Sequence, residues 1–208
     1  MRTIAYVDGF NLFYGSLKGT PYKWLHLCAY FERTLPPHCV LVGVKYFTAR
    51  VSPSANDPFS PGRQDVYLRA LRAQSANRIA ITEGRFSVKT VSAPLASNPA
   101  TLIKIIKTEE KGSDVNLAVE LVNDAWLNAF DCAAVVSNDA DLEAAMRVTK
   151  QQLKKKVYLF TPGAPKRTPL AVLTKWSHKQ LGVLQVDIAA SQLPQIVNPG
   201  NIAKPVRW

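Results

Sequence analysis

The sequence is poor in the residues that build disulfide frameworks and zinc sites. Its 208 residues include three cysteines and three histidines, which form neither a CxxC pair nor a zinc-ligand spacing. An odd number of unpaired cysteines is typical of reduced intracellular proteins, so we expect a cytoplasmic chain without disulfides. A chain of this length suits one domain that buries a substantial core without such cross-links.

Long apolar runs and the common nucleotide-binding motifs are also missing. No segment reaches the roughly 20 apolar residues that cross a bilayer, and Asp8 interrupts the short apolar stretch at the start. We therefore expect neither a membrane span nor a signal peptide. The sequence contains no P-loop and no GxGxxG, and Asp8 has no second aspartate two residues on. These absences argue against a nucleotide-binding protein or an α/β phosphatase.

Acidic residues are outnumbered by basic ones. The chain has 26 Lys and Arg against 15 Asp and Glu, which gives a formal net charge of +11. Such a balance concerns partners rather than fold, and it favours a polyanion such as RNA. A basic protein without any nucleic-acid role is the alternative.

Short apolar runs rich in β-branched residues alternate with amphipathic segments. Strands are predicted at 4–7, 40–47, 79–91, 133–136, 157–160 and 183–186. Helices are predicted at 25–35, 63–76, 114–130, 141–153 and 170–176. This alternation predicts an α/β fold with three layers and a mainly parallel central sheet.

Glycine and proline divide the rest of the chain. Gly84 predicts a bend or a hairpin in its strand, and the segment 92–100, with two prolines, is predicted to be irregular. Residues 1–192 are predicted to form one domain. Residues 193–208 contain three further prolines and are predicted to form an extended arm packed on that domain.

Four aspartates lie at junctions between the predicted elements. Asp8 follows the first strand, Asp139 and Asp141 follow the strand at 133–136, and Asp114 begins a helix. Because parallel strands end at one edge of a sheet, we expect these carboxylates to meet, with Asn11 beside Asp8. Two carboxylates 4 Å apart repel by about 4 kcal/mol at an effective dielectric near 20. The cluster therefore needs protons or a cation, and oxygen ligands favour Mg²⁺ or Mn²⁺.

Helix capping is the competing explanation for each of these acids. Aspartate is a preferred N-cap residue, and Asp8, Asp114 and Asp139 all precede or begin helical segments. Capping alone predicts acids that lie apart, whereas a shared site predicts one cluster.

Candidate RNA-binding cations flank the same edge of the predicted sheet. Arg50 and Arg63 border the long loop after the second strand, and Lys111 lies about one turn before Asp114. Phosphate contacts of this kind give affinity without sequence preference. The aromatic residues at 10, 13 and 14 either stack on bases of single-stranded RNA or belong to the core.

Three segments resemble a known family. VDGFNL at 7–12, EEKGSDVNLAVELV at 109–122 and VVSNDADLEAAM at 135–146 are similar to the NYN domain, a group of PIN-like nucleases. RQDVYLRAL and the closing KPVRW resemble the bacterial, uncharacterised branch of that group. One departure occurs at 137–141, where the family often has Ser-Gly-Asp-Ser-Asp and this chain has Ser-Asn-Asp-Ala-Asp.

The resemblance implies a PIN-like, Rossmann-like fold and RNA cleavage that depends on Mg²⁺ or Mn²⁺. It places Asp8, Asp114, Asp139 and Asp141 on the acidic catalytic and metal-binding positions, and Asn11 on the polar position after the first aspartate. RNA is the implied partner, and a homo-oligomer is left open. The alternative is a catalytically silent RNA-binding or regulatory module with the same fold.

Overall fold

A computed structural model of the protein describes residues 1–53, 57–163 and 171–206. Its centre is a seven-stranded sheet with the order β4-β3-β2-β1-β5-β6-β7. The strands are β1 Arg2–Asp8, β2 Val40–Ala49, β3 Ile79–Leu95, β4 Asn98–Lys111, β5 Cys132–Val136, β6 Lys156–Thr161 and β7 Lys179–Gly182. Neighbouring strands are parallel except for the antiparallel pair β3 and β4. The predicted mainly parallel sheet is confirmed.

Helices cover both faces of the sheet. They are α1 Gly9–Leu12, α2 Leu27–Thr34, α3 Ser60–Gln74, α4 Ser113–Trp126, α5 Glu143–Arg147, α6 Ala171–Trp176 and α7 Gln185–Ala190. A π-helical segment extends α1 over Phe13–Leu17 and another extends α5 over Val148–Gln152. A 3₁₀ turn at Ala140–Leu142 precedes α5.

The two faces of β1 contribute to two separate cores. Ala5 and Val7 pack with buried residues of α2 and α3, whereas Ile4 and Tyr6 pack with buried residues of α4, α5 and α6. This alternation follows from the two-residue period of a strand. The strand that carries the candidate site, β1, is therefore buried on both faces in the middle of the sheet. The predicted three-layer arrangement is confirmed.

Two predicted features of the chain are wrong. The segment predicted to be irregular forms the ends of β3 and β4, where Pro94 lies opposite Leu102. Proline is tolerated there because the two strands form an exposed hairpin rather than the middle of a sheet. The strand predicted at 183–186 is also wrong, since β7 ends at Gly182 and α7 starts at Gln185. Short apolar runs do not distinguish strand from helix by periodicity alone.

The chain end packs against the core near α3. β8 Ile196–Val197 and β9 Ile202–Ala203 form a two-stranded antiparallel sheet. The amide of Leu193 donates to the Trp24 carbonyl at 2.8 Å, and the Trp24 indole donates to the Pro194 carbonyl at 2.8 Å. The last two residues of the predicted arm and Leu170, the first residue of a predicted helix, lie outside the described residues.

None of the helices in the described ranges is both long enough and apolar enough to span a membrane.

Candidate acidic functional site

Asp8 ends the central strand and begins α1. Its side chain is almost fully buried. One oxygen, Oδ1, accepts a hydrogen bond from the Asn11 amide at 2.9 Å, and Oδ2 accepts one from the Asn11 side-chain amide at 2.5 Å. A Cβ at Gly9 would lie 2.8 Å from the Phe47 carbonyl oxygen. Glycine after Asp8 therefore lets α1 approach β2 closely, which fixes the direction of the carboxylate.

Residues after β5 bind to the end of β1. The Ser137 hydroxyl donates to Asp8 Oδ2 at 3.0 Å, and the Asn138 amide donates to Asn11 Oδ1 at 3.2 Å. The two strands are parallel neighbours in the sheet, so their carboxyl ends leave at one edge. The two strand ends that carry the acidic motifs therefore meet.

Asp139 is held by its own turn. Its amide donates to the Ser137 hydroxyl at 3.1 Å, and its Oδ1 accepts from the Asp141 amide at 3.0 Å. The second bond caps the 3₁₀ turn that precedes α5. Asp141 contributes this backbone amide, and its side chain is exposed to solvent. Capping thus accounts for part of the arrangement of Asp8 and Asp139.

Asp114 reaches the same edge from the first turn of α4. Gly112 has φ 101° and lets the chain turn sharply between β4 and the helix. Glu110 accepts hydrogen bonds from the Ser113 amide at 3.1 Å and from the Ser113 hydroxyl at 2.7 Å. The glutamate therefore fixes the helix start and brings its own negative charge beside Asp114.

The acids at this edge are close enough to change one another's ionisation. Burial, and then the charges of Asp8, Asp139 and Glu110, raise the pKa of Asp114 to about 6. Burial raises the pKa of Asp8 as well, and the charge of Asp139 adds to this, against hydrogen bonds from Asn11 and Ser137. Such a negative field favours a bound proton or a bound cation.

A buried acid with a structural role usually forms an ion pair with a Lys, Arg or His side chain, and the acids of this cluster differ in this respect. Across residues 1–53, 57–163 and 171–206, no Lys, Arg or His forms an ion pair with Asp8, Asp114 or Asp139. Asp124 is buried too, but Lys45 Nζ lies 2.6 Å from its Oδ2. Buried carboxylates without compensation are costly and are typical of functional sites.

The cluster is an electrostatic one rather than a complete set of metal ligands. Among the residues that the structure describes, no three His, Cys, Asp or Glu side chains are arranged to hold a metal ion by themselves. The available donors are carboxylate oxygens, which suit a hard cation that keeps several of its waters.

A cleft of about 900 Å³ opens beside Asp8. Aromatic rings and cations line it together, and its walls include Phe10, Phe13, Tyr14, Lys18, Lys23, Tyr46, Arg63 and Tyr67. Burial raises the pKa of Tyr46 to about 12, and the charge of Asp8 acts in the same direction. The Tyr46 ring therefore connects the cleft to the acidic cluster.

Arg50 and Arg63, two of the predicted RNA-binding residues, are engaged in ion pairs. Arg50 Nε lies 2.5 Å from Glu83 Oε2, and Arg63 pairs with Asp57 at the wall of the cleft. A phosphate at either arginine would have to share it with a carboxylate.

Lys111, the third predicted RNA-binding residue, ends β4. Its Nζ lies 2.9 Å from Glu109 Oε2, and about half of its side chain is exposed. It lies three residues before Asp114, so it borders the acidic cluster.

Three residues at the site carry no clear signal in the sequence. Ser137 stands in the SND segment, and its position directly after a strand is the only hint that it binds Asp8. In the sequence, Glu110 is one of two adjacent glutamates, and Tyr46 is an ordinary aromatic residue within a predicted strand. The contacts of Ser137 and Tyr46 depend on which strands become neighbours, whereas those of Glu110 depend on the turn between β4 and α4.

Comparisons with known proteins bear on both the fold and the site. The chain is similar to 6-hydroxy-3-succinoylpyridine 3-monooxygenase HspA of Pseudomonas putida (strain DSM 28022 / S16). The alignment extends over 236 positions with 32% identity, and it covers 100% of this chain and 75% of that protein.

A solved structure shares the fold. The crystal structure of a protein of unknown function, VPA0982 from Vibrio parahaemolyticus RIMD 2210633, superposes with a TM-score of 0.53. It is 16% identical and the match covers 88% of this chain and 93% of that chain, so this likeness concerns the fold alone.

The family match includes every acid of the cluster. The family model that matches is the NYN domain. The match covers residues 2–174, from the start of β1 to a point within α6. This range contains Asp8, Glu110, Asp114 and Asp139 together with the turns that hold them. The chain therefore belongs to the NYN domain family of the PIN-like nuclease superfamily.

Proposed function

We propose that this protein is a metal-dependent ribonuclease that hydrolyses RNA phosphodiester bonds at the acidic cluster. The observation that carries the proposal is the meeting of Asp8, Asp114 and Asp139 at one edge, with no ion-pair partner for them among the described residues. Burial, and then the charges of the neighbouring acids, raise the pKa of Asp114 to about 6. The net charge of +11 supports a polyanionic substrate. Membership of a nuclease superfamily supports the same reaction class.

Asp8, Asp114, Asp139 and Asp141 are the proposed ligands of Mg²⁺ or Mn²⁺. The fit of Asp8, Asp114 and Asp139 rests on their oxygen donors and on the repulsion that a cation would relieve, whereas Asp141 would add an exposed carboxylate two residues after Asp139. Mg²⁺ usually binds through one or two carboxylates and keeps several waters, so three side chains in direct contact are not required. When bound, the metal supplies an activated water and neutralises charge on the phosphate.

The chain's own residues orient the site and accept the proton. Asn11 and Ser137 hold the Asp8 carboxylate through three hydrogen bonds, two from Asn11 and one from Ser137. These donors favour the ionised form and so oppose the rise in the pKa of Asp8 that burial causes. Asp114, half-buried at the same edge, is the proposed acceptor of the proton from the attacking water, and its pKa of about 6 belongs to the metal-free site.

The cleft beside Asp8 is the proposed path for single-stranded RNA. The Phe10 and Tyr14 rings are stacked with centroids 6.5 Å apart, and Tyr14 is 63% exposed, so its ring is available to a base. Arg50, Arg63 and Lys111 remain the proposed phosphate contacts. Each of them would exchange an internal carboxylate for a phosphate, which limits its contribution to binding.

A cleavage assay with end-group analysis tests the proposed reaction. Labelled RNA is incubated with wild type, Asp8→Asn and Asp139→Asn in Mn²⁺, Mg²⁺ or EDTA. We expect metal-dependent cleavage that falls about 100-fold or more in both variants. Attack by water leaves no 2′,3′-cyclic phosphate, which separates this reaction from that of a contaminating metal-independent ribonuclease.

Asp131→Asn is the matched control for this assay. Asp131 pairs with Arg2 at the opposite edge of the sheet, so its loss changes charge without touching the site. RNA binding without cleavage in any metal would support the silent RNA-binding module instead. Metal-dependent cleavage that is equal in wild type and Asp8→Asn would place the reaction elsewhere and contradict the proposal.

A small aromatic acid is the second candidate substrate. The relative named 6-hydroxy-3-succinoylpyridine 3-monooxygenase is 32% identical over the whole chain. The combination of aromatic walls with Lys18, Lys23 and Arg63 in one cleft suits a flat ring that carries a carboxylate. Calorimetry with 6-hydroxy-3-succinoylpyridine tests this. Binding that is weakened by Arg63→Gln, in a chain that cleaves no RNA, would favour this candidate over the nuclease.

A further inference from the structure

A two-stranded ribbon extends from the same sheet edge as the acidic cluster. The pairing of β2 with β3 ends where Ala49 faces Gly84, whereas β3 and β4 stay paired from Arg85 and Lys111 to Leu95 and Asn98. At about 3.3 Å per residue the ribbon is roughly 30 Å long. Because β3 is parallel to β1, it leaves the sheet at the edge that carries Asp8.

The base of the ribbon touches the site directly. The Phe86 and Phe10 rings meet edge to face with centroids 5.8 Å apart. Glu110 of the ribbon binds Ser113 and adds its charge to the field at Asp114. The ribbon is therefore a continuation of the wall of the site.

Residues directly opposite each other in an antiparallel pair share one face of it. One face of the ribbon, here called the basic face, carries three successive pairs on its half nearest the sheet. These are Arg85 opposite Lys111, Ser87 opposite Glu109, and Lys89 opposite Lys107.

The charges of the basic face are poorly compensated. Glu109 pairs with both Lys107 and Lys111, which lowers the pKa of its carboxyl to about 2. In the described part of the chain, Arg85 and Lys89 form no ion pair. Four exposed cations against one half-buried carboxylate leave three positive charges on this strip.

Fold stability does not account for this arrangement. Like charges directly opposite each other across a ladder destabilise it, and this occurs here at Arg85–Lys111 and at Lys89–Lys107. Lysines on an edge strand discourage aggregation, but they would do so equally well if they faced neutral residues across the ladder. A second copy of the chain would add four more cations to the same face. The charge pattern instead fits an anionic partner.

We propose that the basic face of the β3–β4 ribbon binds the sugar–phosphate backbone of the RNA next to the cleaved segment. This rests on the proposed function only in taking RNA as the ligand, and it applies equally to a chain that binds RNA without cutting it. The aliphatic pairs Val91–Ile105 and Ala93–Ile103 continue this face toward the tip. With lysine and arginine as its contacts, the face binds RNA without sequence preference.

The salt dependence of RNA binding tests the ribbon. The affinity for a fluorescent single-stranded RNA that is long enough to span site and ribbon is measured in EDTA across a range of KCl concentrations, so that no metal-dependent cleavage occurs. The variant is Arg85→Gln combined with Lys89→Gln, two exposed residues without ion pairs. The control is Lys156→Gln combined with Lys179→Gln, which removes the same charge at the opposite edge of the sheet.

The two double variants are expected to behave differently. Each lost contact to a single-stranded phosphate lowers the slope of log affinity against log salt by about 0.7, so the ribbon variant should lose about 1.4. This corresponds to roughly 25-fold weaker binding in 0.1 M salt. The control should keep the wild-type slope. Thermal unfolding should be unchanged in the control and no lower in the ribbon variant, which loses two pairs of opposing like charges.

Other results would overturn the ribbon proposal. Equal slopes in the ribbon variant and its control would remove the ribbon from the RNA path. A ribbon variant that keeps the slope but changes the mass of the particle in light scattering would make the ribbon an interface between copies. The outcome of the cleavage assay is independent of this binding measurement. A reduced slope in a chain that cuts no RNA would leave the ribbon proposal standing and remove only the nuclease.

Discussion

Asp114 occupies the first turn of α4, where its carboxyl is half-buried and faces the charges of Asp8, Asp139 and Glu110. Its pKa of about 6 lies well above the ordinary value of 3.8. The folded protein therefore binds this proton more tightly than the unfolded chain does. The unfavourable effect of the ionised carboxyl is absent below pH 4 and grows as the pH rises through about 6.

Asp114→Asn is therefore expected to stabilise the metal-free protein at pH 8. Because the side chain is about half-exposed, solvent screening reduces the gain to about 1 kcal/mol. For a domain of this size that corresponds to a melting temperature about 2–4 °C higher. Thermal unfolding in EDTA at pH 8 and pH 4 measures it, and the difference from wild type should vanish at pH 4.

Asn123→Ala is the control, since Asn123 lies exposed on the same helix away from the acids. A loss of stability in Asp114→Asn at pH 8 would mean that the carboxylate is compensated in the folded protein. That result would contradict the electrostatic cluster.

The sequence predicts the positions of the acids better than their surroundings. Asp8 and Asp139 follow apolar runs, so their meeting at one edge follows from the alternation of strands and helices. The ion pairs of Arg50 with Glu83 and of Arg63 with Asp57 join segments whose distance depends on tertiary packing. For that reason the sequence predicts both arginines as RNA contacts but does not reveal their carboxylate partners.

At the scale of the element, the β3–β4 ribbon and the start of α4 meet at Gly84. A Cβ there would lie 2.7 Å from the Lys111 carbonyl oxygen and 3.2 Å from the Ser113 amide nitrogen. Both atoms belong to the backbone, so rotation of a side chain does not relieve the contact. Glycine at this position therefore allows β3 to pass directly under the turn that presents Asp114.

Gly84→Ala is expected to destabilise the protein by about 1–3 kcal/mol, because the extra methyl group overpacks this crossing. Chemical denaturation measures the change. Gly62→Ala is the matched control, since Gly62 lies in α3 and no atom of the described neighbouring residues lies within 4 Å of its added Cβ. There alanine should stabilise the helix by up to about 1 kcal/mol. Equal stability of the two variants would show that the crossing at Gly84 is looser than described.

Elements with strong periodicity are predicted well, and elements that depend on long-range pairing are not. The helix from Ser113 to Trp126 follows from the spacing of Leu117, Leu121 and Ala125, which are all buried. The length of the ribbon does not follow, because its strands are stabilised by each other rather than by an alternating buried face. Their residues are mostly exposed on both sides.

At the scale of the whole molecule, the acidic cluster and the basic face of the ribbon lie next to each other at one edge of the sheet. Several arginines distant from the cluster are paired with acids, as Arg2 is with Asp131 and Arg33 with Asp187. Arg85 and Lys89 of the ribbon have no ion pair within the described residues, and they lie near the acids of the cluster, which have none either. The composition predicts a polyanionic partner, but only the topology brings the acids and these cations to one edge of the sheet.

The central claim is that Asp8, Asp114 and Asp139 share one divalent cation. Anomalous X-ray diffraction from crystals soaked in Mn²⁺ above pH 6, where the Asp114 carboxyl is ionised, tests it most directly. We predict a single anomalous peak among these three carboxyl groups, lost in crystals of Asp139→Asn. An empty cluster, or a peak only at other surface acids, would contradict the claim.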